Sequence, residues 1–321
     1  MFATMTPVRR AVIDVGTNSV KLLVAEVDER QVQPLLEQSK QTRLGRGFYP
    51  EHVLQAGPIT QTAQAVAEFA DQARQHGATK VQVVATSAAR DARNQRELLS
   101  AIEAACGLPV RVLTGEQEAD YGFQGVTSDP RLAHESLLLL DVGGGSSEFI
   151  VGRDGEKHLA HSFDLGTVRL LEQLHQDDPP TDEQLRDCRA RLLDFLEAEV
   201  GPKVWPALQR ESSGREDDGS IQFVGLGGTA SVLGCIEGGL RGFDRERLEA
   251  TRLSPERLHW HVQHLWGLSL AQRKTVPGLP PNRADVILTG AAIFESVMGF
   301  FGFRQLRVST RGLRFALAME P

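Results

Sequence analysis

Cysteine is scarce in this chain: Cys106, Cys188 and Cys235 stand far apart, odd in number and without a Cys-x-x-Cys pair. Neither a disulfide framework nor a cysteine-ligated zinc site is expected, and a reducing compartment fits. A long apolar run is missing too. The most apolar stretch, 287–303, spans 17 residues but contains Glu295 and three glycines, so it reads as a buried helix rather than a membrane span. There is no excess of positive charge: 35 Lys and Arg against 42 Asp and Glu leave −7. That balance argues against a chain built for broad nucleic-acid or membrane-surface binding, so any polyanion must meet a local basic patch or a metal. The pattern GxxxxGK[ST] is absent, which excludes a P-loop NTPase. His259, His261 and His264 lack HExxH order and further ligands, and read as a partly exposed helical face rather than a metal site. The opening residues 1–10 do not follow the order of a cleavable signal peptide, and the expected location is the cytoplasm.

What is present is a globular composition, 41% hydrophobic and 24% charged over 321 residues. At about 150 residues per domain, two domains are expected. The most informative feature is an internal echo. Ala11-Val12-Ile13-Asp14-Val15-Gly16 returns 127 residues later as Leu138-Leu139-Leu140-Asp141-Val142-Gly143. Each copy continues through a small polar loop, Thr17-Asn18-Ser19 or Gly144-Gly145-Ser146-Ser147, into a second apolar run. A duplicated strand, tight loop and returning strand predicts two similar α/β lobes whose loop tips can face one another across a cleft.

The intervening pattern supports an α/β chain. Residues 59–76 have helical spacing that stops at Gly77, 81–85 read as a buried strand, and 94–106 read as a helix ending at Gly107. Strand 110–113 follows. Thr114 with Gln117, and later Thr181 with Gln184, have capping-box spacing; the second helix is expected to run to about Val200. Residues 211–220 read as a charged surface loop, 221–224 as a strand before the glycine turn 225–229, and 253–268 as a helix. After a turn at 277–281, an apolar helix from Ala284, a strand at 306–309 and a helix from Arg311 end the chain, with a return to the first lobe.

An Asp at a strand end, followed by glycine and small hydroxyl or amide residues, makes a turn whose backbone N–H groups converge without Cβ obstruction. Gly16, Thr17, Asn18 and Ser19 form one such loop, and Gly143, Gly144, Gly145 and Ser146 form a second. One alone reads as an ordinary hairpin turn. Two in matching context, with a third glycine turn at Gly227, Gly228 and Thr229, point to phosphate. Asp14, Asp141 and Glu148 add hard oxygen ligands beside these loops, as Mg²⁺ needs when it bridges carboxylates and phosphate. Each also reads as a carboxylate capping its own turn.

Five segments taken in order carry a family resemblance: Asp14-Val15-Gly16-Thr17-Asn18-Ser19, Thr86-Ser87-Ala88-Ala89-Arg90, Thr114-Gly115-Glu116-Gln117-Glu118-Ala119, Asp141 through Glu148, and Gly225-Leu226-Gly227-Gly228-Thr229. Together they resemble the exopolyphosphatase and guanosine pentaphosphate phosphohydrolase family over roughly residues 8–318. The resemblance implies two similar actin-like (ribonuclease H-like) lobes around a central phosphate-binding cleft, with bounds at 1–124 plus 304–321 and at 125–303. It places the catalytic base on Glu118 and a phosphate-contacting role on Arg90. Glu118 read alone is a first-turn helix acid like Glu116. Arg283 also matches a family arginine at the cleft, although a surface salt bridge accounts for it equally well; Arg93 is a further phosphate-side candidate that an exposed helix-start arginine accounts for equally well. Lys21 and Arg46 are candidates for the approach path.

The implied reaction is hydrolysis of a terminal phosphoanhydride of inorganic polyphosphate with Mg²⁺ or another divalent cation, releasing orthophosphate. Guanosine pentaphosphate is the alternative substrate at the same site, and a homodimer is among the expected assemblies. A non-hydrolytic actin-like nucleotide-binding module, or a kinase of that fold, competes, with the Glu118 segment against it. Two departures stand out. The sequence has no counterpart of the C-terminal metal-dependent hydrolase-like domain of longer family members, so release after few cleavages or a preference for shorter chains is expected. It also reads Gly312-Leu313-Arg314-Phe315-Ala316 where related chains commonly have Arg-Glu-Gly.

Overall fold

A computed structural model describes residues 7–28, 31–174, 177–213 and 220–321. The chain forms two compact units, Met1–Ser128 with Gly312–Pro321, and Asp129–Arg311. In the first unit, β1 (Val8–Val15), β2 (Ser19–Asp28), β3 (Gln31–Gln41), β4 (Lys80–Ala85) and β5 (Val110–Val112) form one sheet in the order β3-β2-β1-β4-β5. Successive residues of β1 face opposite sides. Ala11, Ile13 and Val15 join the core under helices Ala56–Gln75 and Gln95–Cys106, while Val12 joins the core formed with Leu313, Phe315 and Leu317. Because both faces are covered, β1 reads as a continuous apolar run. β3 is a polar edge strand that tolerates Pro34, whose missing N–H costs little where no further strand pairs.

In the second unit, β6 (Leu137–Val142), β7 (Ser147–Arg153), β8 (Glu156–Phe163), β9 (Gln222–Leu226), β10 (Arg252–Leu253) and β11 (Leu306–Val308) are ordered β10-β11-β9-β6-β7-β8. Read from β8, the order 8-7-6-9-11 repeats 3-2-1-4-5, with β10 added at the edge. The pairing senses repeat as well: β6 is antiparallel to β7 and parallel to β9, as β1 is to β2 and β4. The sequence echo thus extends to a five-strand topology.

Both capping boxes form, at Thr114 with Gln117 and at Thr181 with Gln184. Gly77 and Gly107 end their helices at φ +74° and +70°. Three elements differ from expectation. The helix begun at Asp182 does not stop near Val200: it passes through a π-helical turn, Leu196–Val200, into helix Gly201–Ser212. Pro202 cannot donate to the preceding turn, and the wider π turn ends just before it, while Pro206 lies inside the following helix. That helix includes Glu211 and Ser212, so the expected loop starts later, and residues 214–219 lie outside the described residues. Leu306–Val308 pairs in parallel with β9, so the chain returns to the first unit at Gly312 rather than at 304. No helix among the described residues is long and apolar enough to cross a membrane.

Candidate active site

In the first unit, the β1–β2 turn closes with Gly16 N–H donating to the Ser19 carbonyl at 3.1 Å. Its carbonyls are taken from behind. Gly45 N–H donates to Thr17 O at 2.7 Å and Arg43 N–H to Asn18 O at 3.0 Å. Gly45 permits the close approach there, since a Cβ would lie 2.3 Å from Thr17 Cγ2. Arg43 holds φ +52° to make its bond, an unusual conformation for a side-chain-bearing residue. The N–H groups of Thr17 and Asn18 meet no acceptor among the described residues.

The second unit repeats the device. Gly143 N–H donates to Ser146 O at 3.0 Å. Behind the turn, helix Thr167–Gln173 gives the Thr167 N–H to Gly143 O and the Val168 and Arg169 N–H groups to Gly144 O. Gly166 makes this approach feasible, since its Cβ would stand 2.5 Å from backbone atoms of Gly144 and Gly145. Gly144, Gly145 and Ser146 N–H find no acceptor among the described residues. A turn whose carbonyls are satisfied from one side and whose amides are left on the other suits an anion.

The carboxylates flanking the two turns differ. Asp14 pairs across the strands with Lys21, and the ion pair measures 3.8 Å. At the equivalent positions Asp141 pairs across the strands with Glu148. Glu148 is 1% exposed and accepts from the hydroxyls of Ser146 and Ser162 at 2.8 and 2.7 Å. Among the described residues no group of three or more His, Cys, Asp or Glu is placed to hold a metal. The donor set at Asp141 and Glu148 still fits Mg²⁺, which takes one or two carboxylates and completes its shell with water and phosphate oxygens.

The third glycine turn packs on the same acid. Gly227 has φ +75°, and a Cβ there would meet Asp141 Oδ1 at 2.2 Å. Gly225 and Leu226 belong to β9, and the helix begins at Gly227. Thr229 Oγ1 donates to Val142 O at 3.2 Å. The Arg283 guanidinium lies over Gly228, 2.3 Å from where a Cβ would be. Burial holds Arg283 below the ordinary arginine pKa, with the nearby Asp285 carboxylate acting against it.

Arg90 and Glu118 are brought together. Arg90 closes the short helix Ser87–Arg90 after β4, and Glu118 lies in the first turn of helix Gly115–Thr127. Arg90 Nη1 donates to Glu118 Oε2 at 3.1 Å and to Leu113 O at 3.2 Å. Glu116 is exposed, whereas Glu118 is partly buried. Arg93 is exposed, and its backbone N–H donates to His52 O at 2.9 Å. The three histidines do not share one exposed face: His261 is buried against Glu237, His259 contacts Glu295, and His264 stacks on Trp260. Residues two apart on a helix point in opposing directions, which separates His261 from His259.

The backing segments 42–46 and 164–169 were not expected. Their signal is weak, a lone Leu-Gly pair in each (Leu44-Gly45 and Leu165-Gly166), and their work is done mainly by backbone amides.

Two units repeat one α/β topology, and each carries a glycine turn with backbone amides that meet no acceptor among the described residues. The profile of the Ppx/GppA phosphatase family matches residues 23–319, and the chain belongs to that family. Exopolyphosphatase 2 of Mycobacterium tuberculosis is 30% identical over 330 residues, covering 98% of this chain and 99% of that protein. The Aquifex aeolicus Ppx/GppA family member aligns with TM-score 0.76 at 28% identity, covering 98% and 97% of the two chains. An exopolyphosphatase from Cytophaga hutchinsonii, 24% identical with TM-score 0.82, covers 96% of each chain and shares the fold.

Proposed function

We propose that the protein is an exopolyphosphatase that hydrolyses the terminal phosphoanhydride of inorganic polyphosphate and releases orthophosphate. The observation that carries this reading is the repeated turn whose carbonyls are consumed from behind, leaving amides free for phosphate oxygens. In the proposed step a water oxygen attacks the terminal phosphorus. Glu118 takes the water proton, the bridging P–O bond breaks, and its electron pair leaves with the shortened chain. Arg90, already fixed against Glu118, orients oxygens of the transferred group through its planar fork. The N–H groups of Thr17 and Asn18, and those of Gly144, Gly145 and Ser146, would each serve non-bridging oxygens, in turns that Gly16 with Ser19 and Gly143 with Ser146 hold closed. Gly227, Gly228, Thr229, Arg283 and Arg93 complete the proposed phosphate-side set. A Mg²⁺ held by Asp141 and Glu148, with Asp14 as a further candidate ligand, would supply neutralisation of oxygen charge.

These parts act on phosphate and are indifferent to what lies beyond the second phosphorus, so guanosine pentaphosphate is the alternative substrate. The three free cysteines suit a reducing compartment, which supports placement in the cytoplasm. The test is a Mg²⁺-dependent orthophosphate assay on polyphosphates of defined length, with guanosine pentaphosphate in parallel and Glu118→Gln as control. Release from guanosine pentaphosphate alone moves the assignment to the alternative. Release from neither, or equal release by Glu118→Gln, rejects the proposed reaction or base.

A further inference from the structure

The two Asp-Val-Gly turns correspond residue for residue, 16 with 143, 17 with 144 and 18 with 145. At the middle position both carbonyls take backbone donors, Gly45 N–H for Thr17, and Val168 and Arg169 N–H for Gly144. At the next position the units diverge. Asn18 O is held by the backbone N–H of Arg43 at 3.0 Å, whereas Gly145 O is held by a side chain, Arg169 Nε, at 2.8 Å. In the second unit a side chain fills the place of an amide, and a side chain can be changed without rebuilding the chain.

The consequence follows from peptide geometry. In a planar trans peptide, the C=O of one residue and the N–H of the next point in opposite directions. A donor behind Gly143 O therefore aims Gly144 N–H forward, donors behind Gly144 O aim Gly145 N–H, and Arg169 Nε behind Gly145 O aims Ser146 N–H. Arg169 is itself held: its Nη2 lies 2.9 Å from Asp164 Oδ1, and its side chain is 13% exposed against 75% for Asp164. Nε and Nη2 lie on one edge of the planar guanidinium, so a single arginine grips Gly145 O and Asp164 together, which one ammonium donor cannot reproduce in that geometry.

We propose that Arg169, oriented by Asp164, is a positioning residue that sets the Ser146 amide of the phosphate cradle. The proposal rests on the reading of this turn as the anion-receiving loop of the enzyme. It assigns a functional consequence to Asp164, a largely exposed carboxylate with no part in the chemistry, and that is its distinctive claim.

The experiment uses the full chain and tripolyphosphate, measuring kcat, KM, inhibition by orthophosphate and the thermal midpoint for wild type, Asp164→Asn, Arg169→Lys and Arg169→Gln. A misaimed donor costs less than a deleted one, whose loss is about a hundredfold or more. Asp164→Asn is expected to lower kcat/KM by about threefold and the Arg169 variants by about tenfold or more, carried in kcat. The orthophosphate inhibition constant should rise in the same order while the thermal midpoint of Asp164→Asn stays at the wild-type value, with Arg169→Lys intermediate. Unchanged kcat, KM and inhibition in Asp164→Asn overturn the proposal, whether the Arg169 variants are normal or fail only in step with a lowered midpoint. If wild type releases no orthophosphate at all, the reading of the site fails instead; calorimetric titration of orthophosphate into the same variants then decides the positioning role.

Discussion

Arg90 and Glu118 lie 28 residues apart, yet their charged ends meet at 3.1 Å with both side chains largely withdrawn from solvent, 24% and 15% exposed. Two local devices produce the contact. Thr86 N–H is fixed to Val15 O at the end of β1, which starts the Arg90 helix, and the Thr114 capping box starts the Glu118 helix. A carboxylate held by a guanidinium keeps one orientation, so the pair would fix at once the oxygen of the proposed base and the fork of the proposed phosphate ligand.

Glu118→Gln keeps an amide oxygen for Arg90 but cannot accept a proton. With the fold intact, kcat should fall by roughly 10²- to 10⁴-fold, the usual span of general base catalysis. Arg90→Lys keeps the charge and loses the fork, and it should weaken both kcat and KM less severely. Orthophosphate release kinetics check both, and near-wild-type turnover in Glu118→Gln would sink the assignment of the base.

Glycine at 166 and at 45 serves the same end with different tolerance. An alanine methyl at Gly166 meets backbone atoms of Gly144 and Gly145 at 2.5 Å, which cannot yield without moving the cradle. At Gly45 the closest atom is the Thr17 side-chain methyl at 2.3 Å, with the Thr17 carbonyl at 3.4 Å. A rotamer change at Thr17 can relieve part of that clash. Gly166→Ala should cost about 2 kcal/mol or more of stability, typical of overpacking, and most of the activity; Gly45→Ala should cost less of each. Chemical denaturation with parallel rate assays decides the order, and equal or reversed losses would contradict it.

The hairpins that carry the proposed chemistry were legible because their cause is local: apolar strand residues, an Asp at the strand end, and glycine where amides must converge. The capping boxes at Thr114 and Thr181 were legible for the same reason. The segments behind the loops were not. Gly45, Arg43, Thr167 and Val168 act through backbone N–H groups, and an amide leaves no mark of its acceptor in the residue type. β3 was missed because an exposed edge strand with Pro34 has no buried face to impose a period of two. Nor did spacing distinguish His261 from its neighbours, since burial beside Glu237 depends on which helix packs there.

Thiol reactivity gives an independent check on the core. Burial pushes the Cys188 thiol up to about 12 and also raises Cys235, while Cys106 is half-exposed at the end of its helix. Nucleophilic attack needs thiolate. Alkylation of the native chain at neutral pH should therefore modify Cys106 first and leave Cys188 intact until unfolding. Peptide mapping after brief treatment measures this, and early labelling of Cys188 would show that helix Asp182–Phe195 does not pack as described.

Acid should loosen the second unit at His261. Its ring is buried, its Nε2 faces Glu237, and its Nδ1 has no hydrogen-bond partner among the described residues. Burial outweighs the attraction of Glu237, with Arg257 and His264 adding positive charge nearby, so His261 titrates below its ordinary value of 6.5. The sign then follows. The unfolded chain binds this proton more readily than the folded one, so the stabilisation is fully present above the unfolded pKa and is lost as pH falls through the lower folded pKa. Glu237, lowered chiefly by its hydrogen bond from Arg257, adds a loss in the same direction that begins only at more acidic pH. The thermal midpoint should decline between pH 7 and 5.5 in wild type. His261→Gln, which keeps an amide donor for Glu237 and does not titrate in this range, should flatten that part of the curve. Parallel pH profiles for the two proteins would mean that this histidine does not supply the acid sensitivity.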